Sequence, residues 1–125
     1  PQAQTLGTYA DDGKVMFASV MRGGVRSVYC ANVFLHRDLV AQLAAEAGCH
    51  LFARPGDVLY ANESFVTLHA TGDGRRTIRF KRPCSPYEVY EKRFYGHGVE
   101  SIDVDLKNGE TRMWRLDEAG GPAGE

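Results

Sequence analysis

The sequence predicts a mainly β protein of the α+β class: an antiparallel β-sandwich with an N-terminal β-meander and one amphipathic helix. Three observations carry this reading. Through most of the chain, short runs rich in β-branched and aromatic residues alternate apolar and polar positions, the period of half-buried strands. One stretch alone, residues 35–47, switches to helical period. Turn signals then recur about every 8–12 residues, as in sandwiches and barrels.

Residues 5–30 read as three strands. TLGTY, KVMFASVM and VRSVYCA are separated by Asp11-Asp12-Gly13 and Arg22-Gly23-Gly24. An Asp-Gly or Gly-Gly between β-rich runs is a hairpin signal, so a meander is predicted. In LHRDLVAQLAAEA, Leu35, Leu39, Val40, Leu43, Ala44 and Ala47 form one apolar stripe. Gly48 follows where a left-handed C-terminal cap belongs. A helix this short needs packing against a sheet.

From Cys49 to Leu116 the strand pattern returns in CHLFA, DVLYA, SFVTLHA, RTIRF, YEVYE, SIDVDL and TRMWRL. Turns are predicted at Arg54-Pro55-Gly56, Ala61-Asn62-Glu63, Gly72-Asp73-Gly74, Arg82-Pro83, Gly96-His97-Gly98 and Asn108-Gly109. Val66, Leu68 and Ala70 form one face against Phe65, Thr67 and His69; Ile102, Val104 and Leu106 oppose Asp103 and Asp105. The resulting division is a meander plus helix over 1–48, a sandwich over 49–116 and a disordered Gly/Pro/acid-rich tail over 117–125. The first two are expected to form one compact unit.

Composition narrows the function classes. The 125 residues suit one domain, with 43% hydrophobic and 25% charged residues. Fifteen Lys and Arg against 16 Asp and Glu leave a net charge of −1, which argues against a nucleic-acid binder. No run approaches the roughly 18 apolar residues of a membrane span. PQAQTLGTYADDGK has neither the basic nor the apolar region of a secretion signal, which leaves both a cytoplasmic and a processed, secreted protein open.

No motif announces a reaction. Cys30, Cys49 and Cys84 lack CxxC spacing and read as small apolar residues in or near the core. His36, His50, His69 and His97 show no metal-ligand spacing, so neither a metal nor a cofactor is predicted. His69 reads as a solvated strand histidine, or as part of a groove with Thr67, Thr77 and Arg79. Glu63, Glu88, Glu91, Asp103 and Asp105 read as solvated carboxylates, and no nucleophile elbow or phosphate loop is present.

The aromatic stretch PYEVYEKRFYGHG stands out, with Trp114 on the last strand. Aromatic rings stack on the apolar face of a pyranose while neighbouring polar groups bond its hydroxyls. Tyr87, Tyr95, His97, Arg112 and Trp114 are therefore the candidate carbohydrate-binding residues; no catalytic residue is assigned. The competing reading places Tyr90 and Phe94 in the core and Trp114 half-buried.

The segment from LVAQLAAEAGCHLF to KNGETRMW resembles the C-terminal region of bacterial β-galactosidase-like, TIM-barrel glycoside hydrolases. The resemblance lies in Glu46-Ala47-Gly48, His50-Leu51-Phe52, Asp57 to Asn62, Phe65 to Ala70, Thr77 to Phe80 and Asp105 to Thr111. It implies the closing strands and last helix of an α/β part over 5–48, then a terminal sandwich. It also implies a non-catalytic accessory domain whose partners are a parent catalytic domain and a polysaccharide or oligosaccharide, because the barrel carrying the family's catalytic glutamates has no counterpart here. The alternatives are a small carbohydrate-active enzyme using His69, Arg79 or Asp103, and a structural module that self-associates.

Overall fold

The computed structural model describes residues 2–120 and is mainly β, with antiparallel sheets and one helix. The chain divides into two compact units, Pro1–Val40 and Ala41–Glu125. In the first unit, β1 (Gln4–Thr8), β2 (Val15–Arg22) and β3 (Val25–Cys30) form the predicted meander in the order β1-β2-β3. Gly23 and Gly24, at φ 55° and 79°, make the two-residue turn that matches the strand twist. Ser19 is the one buried residue of this unit among those described. A three-stranded sheet with so little burial has no core of its own.

Helix α1 (Arg37–Glu46) falls where the apolar stripe placed it, and the division between the units lies within it. Gly48, at φ 81°, caps it: Cys49 N donates to Ala44 O at 2.9 Å. The expectation that the stripe is buried needs correction, because none of the helix side chains is. The core of the second unit is closed without it.

The second unit holds β4 (Val58–Ala61), β5 (Phe65–His69), β6 (Gly74–Glu88), β7 (Arg93–Phe94), β8 (Val99–Leu106) and β9 (Thr111–Glu118). Their order is β4-β5-β9-β6-β7, with β8 paired to β6 off that path. The long β6 explains this branching. Residues 74–79 pair with β8 and residues 84–88 with β9, while Cys84 pairs on both sides, with Val99 of β8 and Glu118 of β9. One strand thus serves two layers, and the architecture is sandwich-like.

The core lies between those layers. Val66, Leu68 and Ala70 from the β5 side and Ile102, Val104 and Leu106 from β8 are buried, on the faces that their alternation predicted. Ile78 and Phe80 of β6 and Trp114 of β9 complete it. The loops that change layer are stitched together at one corner. Asn108 N donates to Asp73 Oδ1 at 2.8 Å, and Gly109 N donates to Ala70 O at 2.8 Å. Beside them Arg76 grips Asp57, at 2.6 Å from Nε and 3.1 Å from Nη2, and also donates to Gly72 O. The Arg76 guanidinium holds the Asp57 carboxyl down at about 2.

Several local expectations change. CHLFA is not a strand; its backbone and His50 cover an edge of β6 instead. Arg79 N donates to Phe52 O at 2.7 Å, and His50 Nε2 lies 2.9 Å from Arg79 O. Arg82-Pro83 is not a turn but part of the irregular stretch where the β6–β8 ladder is interrupted between Arg79 and Cys84, and Pro83 has no N–H for that interruption to strand. RTIRF and the start of YEVYE therefore merge into one strand. Asp117 and Glu118 belong to β9, while tail residues 121–125 lie outside the described residues. Cys84 is buried as expected of a core thiol, but Cys49 is exposed. Among the described residues no helix is long and apolar enough to cross a membrane.

The core assignment has a direct consequence. Leu68→Ala should lower the unfolding free energy by about 2–5 kcal/mol in urea titrations, because it opens a cavity between the layers. Val28→Ala, on the exposed meander, should cost under about 1 kcal/mol.

Candidate functional site

The register of the second unit sorts the candidate residues onto two faces. Across β5, β9, β6 and β7, Phe65 pairs with Arg115, Arg115 with Tyr87 and Tyr87 with Phe94. Directly paired residues share a face, so these four form one row across the sheet. The neighbouring row is Tyr60, Thr67 and Met113. Both rows lie opposite the buried Val66, Leu68 and Trp114, on the outer face. Phe65, Tyr87, Phe94 and Met113 are half-buried, and Tyr60 is 73% exposed.

The outer row is ordered by ring contacts. Tyr87 and Phe94 meet edge to face with centroids 5.0 Å apart, and Phe94 lies 4.9 Å from the His97 ring. The Arg115 guanidinium sits 4.9 Å from the Tyr87 centroid. It is fixed there by Asp117, at 2.6 and 2.7 Å. Solvated sheet faces are ordinarily polar; this one presents four aromatic rings. Tyr87 and His97, two of the candidate residues, are linked through the Phe94 ring. Phe94 joins them rather than the core, and Tyr90 is 64% exposed in the turn beyond β6.

Tyr95, Arg112 and Trp114 lie on the other side. Trp114 is entirely buried, so its face cannot stack on a ligand, and its assignment as a platform is withdrawn. Its pairing with Glu88, also wholly buried, places it on the inner face. Tyr95 packs edge-on against Trp114 at 6.1 Å and closes the rim of the core. Its hydroxyl donates to Glu91 Oε2 at 2.7 Å. Arg93 donates to the same oxygen at 2.6 Å and to Tyr95 Oη at 2.9 Å, with its guanidinium over the Tyr95 ring. Arg112 bridges Glu91 and Glu110, through Nη1 to the first and Nε and Nη2 to the second.

This network sets two protonation equilibria. The Tyr95 hydroxyl, with Arg93 and Arg112, holds Glu91 at about 2. Burial, and then the Glu91 carboxylate, push Tyr95 above the usual tyrosine value. Gly96 and Gly98 flank His97 in the predicted turn, and their missing side chains could leave room for a ligand. The space at Gly96 is instead used internally: a Cβ there would lie 2.7 Å from Val99 Cγ1.

The groove expected around His69 does not form. His69 and Thr67 lie on the outer face of β5, with His69 Nδ1 2.8 Å from Thr111 Oγ1. Thr77 and Arg79 stand on the solvent side of the β6–β8 pair, where Thr77 donates to Asp103 at 2.6 Å. His69, Arg79 and Asp103 therefore do not converge. No group of three or more His, Cys, Asp or Glu gathers as a metal site among the described residues. Sequence reasoning missed Tyr60, Phe65 and Arg115; the alternation of Phe65 against Val66 was the available signal, but the register was needed to align it with Tyr87.

A second concavity lies where β6 changes layers. It is a cleft of about 700 Å³ floored by Phe52, Phe80, Cys84 and Leu116. Burial pushes the Cys84 thiol up, so it is neutral at pH 7.

Glu91 supplies a pH test. Its stabilisation is complete above the ordinary glutamate value of 4.5 and is lost as the pH falls through about 2. Glu91→Gln should be less stable than the parent at pH 7, and the difference should shrink as the pH drops from 4.5 towards 2. Unfolding followed through the emission of Trp114, the single tryptophan, checks this.

Comparison of the chain with protein-family models, with curated proteins and with solved structures found no match.

Proposed function

We propose that this chain is a non-catalytic carbohydrate-binding domain, accessory to a glycoside hydrolase, and that it binds polysaccharide across the outer face of the β4-β5-β9-β6-β7 sheet. The observation that carries the reading is the row Phe65, Arg115, Tyr87 and Phe94 beside Tyr60 on a solvated face. Four strands at about 4.8 Å spacing extend such a row over about 14 Å, enough for more than one sugar ring. Tyr87 and Tyr60 supply stacking faces with polar tips; Arg115 and His97 supply donors for hydroxyls. Tyr95 acts indirectly, by anchoring the β6–β7 turn through Glu91, and Arg112 works with it.

The accessory role rests on the resemblance to the C-terminal region of β-galactosidase-like enzymes and on the first unit. Tyr29, Val33 and Phe34 are exposed there, the last two at 88% and 84%. A small sheet with such side chains suits packing against a parent catalytic domain. Self-association through the same residues is the competing arrangement.

Affinity electrophoresis in gels containing soluble xylan, galactan or a cellulose derivative tests the reading. Retardation is expected in at least one of them. Tyr60→Ala and Tyr87→Ala should each weaken it by on the order of 1 kcal/mol, about fivefold. Trp114→Phe, confined to the core, should bind like the parent. No retardation in any gel, or retardation untouched by the paired Tyr60 and Tyr87 substitutions in a folded protein, overturns the proposal.

A further inference from the structure

The cleft at the layer change is lined by residues other than those of the aromatic row. Its floor is apolar, and Phe80 and Cys84 in it are 6% and 5% exposed. A smaller recess of about 380 Å³ adjoins it, sharing His50, Phe80, Lys81, Arg82 and Pro83, with Arg79 at its far side. A volume of about 700 Å³ falls within the range of small-molecule sites.

Most arginines of the second unit are already paired with acids. Arg75, Arg76, Arg93, Arg112 and Arg115 each form an ion pair with a carboxylate. Arg79, Lys81 and Arg82 form none among the described residues, although acids outnumber bases in the chain. Three cations within four residues repel one another, and an anion placed between them relieves that repulsion. Glu63 and Glu118 also line the cleft, while Asp117 is already held by Arg115. Those carboxylates oppose a dianion or polyanion more strongly than a single negative charge.

We infer that this cleft binds a small amphipathic carboxylate: one carboxyl group held by Lys81 and Arg82, and an aromatic or medium-length aliphatic body lying on Phe52, Phe80 and Leu116. The carboxylate accepts charge-assisted hydrogen bonds from two cations that have no acid of their own. The body covers the apolar floor of the cleft.

Isothermal titration of the full chain with 4-phenylbutyrate and with octanoate tests this. Each acid should bind at least about tenfold more tightly than its neutral alcohol, since a hydrogen bond to a charged group contributes on this scale. Inorganic phosphate, which has the charge but no apolar body, should give no measurable binding. Lys81→Gln with Arg82→Gln, two exposed positions, should bring the acid down to the affinity of the alcohol without changing Trp114 emission. Leu116→Glu, placing charge on the floor, should abolish binding. Equal affinity for acid and alcohol, phosphate binding as well as the acids, an unaffected double variant, or no binding of either acid would each overturn the inference. None of these readings depends on whether the sheet face binds polysaccharide.

Discussion

Because β6 serves both layers of the second unit, its ladder with β8 is interrupted just before it joins β9, and Cys84 pairs with both. The break falls between Arg79, the last regular partner of β8, and Cys84, the first of β9. Backbone groups stranded by such a break must find partners or reach water. Pro83 contributes no N–H to strand. Phe52 and His50 bond to the backbone of Arg79 from the side opposite β8. The segment that reads as a strand in the sequence is thereby held as an edge cover. The cleft borders the same break, where half-buried Phe52 and Leu116 lie beside the buried Phe80 and Cys84. Crossover, edge cover and cleft lie together at this point of the chain.

The other end of the β6–β7 turn is closed by a polar rim. Trp114 and Glu88 share a buried pair position, and Glu88 accepts hydrogen bonds from the backbone of Glu91 and Met113. A buried carboxylate is tolerable only with such donors. Glu91, held in turn by Tyr95, Arg93 and Arg112, fixes the turn from outside. The consequence for function is positional. Phe94 and Arg93 are neighbours on the two-residue β7, so anchoring Arg93 on the inner side orients Phe94 on the outer side. On the proposed binding face, Tyr95 and Arg112 therefore act as supports for Tyr87 and Phe94.

Alternation within a strand was readable because it is local: Val66 and Leu68, Ile102 and Val104, Thr67 and His69 all fall on the sides that period two assigns. The meander turns and the helix cap were readable because glycine chemistry is equally local. What the sequence could not supply is register. Tyr87 and Trp114 lie on opposite faces because Tyr87 pairs with Arg115 and Glu88 with Trp114; a shift by one residue would exchange them. That shift is decided by tertiary burial of the indole, which no pattern around Trp114 reports. CHLFA has the composition of a strand and lost that conformation only because β6 offered it a broken edge. The apolar stripe of α1 predicted a helix correctly and its burial incorrectly, since periodicity gives a face and not the surface it meets.

The two surfaces meet at one ion pair. Asp117 lines the cleft, yet both of its oxygens are taken by Arg115, whose guanidinium stands over Tyr87 on the sheet face. On the cleft side, the pairing removes a negative charge that would otherwise oppose an anion near Lys81 and Arg82. On the sheet side, it leaves Arg115 with no net charge to attract acidic polymers, but with guanidinium donors still free for hydroxyls, since a bidentate carboxylate occupies two of five N–H groups. Under the two proposals, the Arg115–Asp117 pair serves both surfaces: it presents donors to a neutral polyol on the sheet face and removes a negative charge from beside a carboxylate in the cleft.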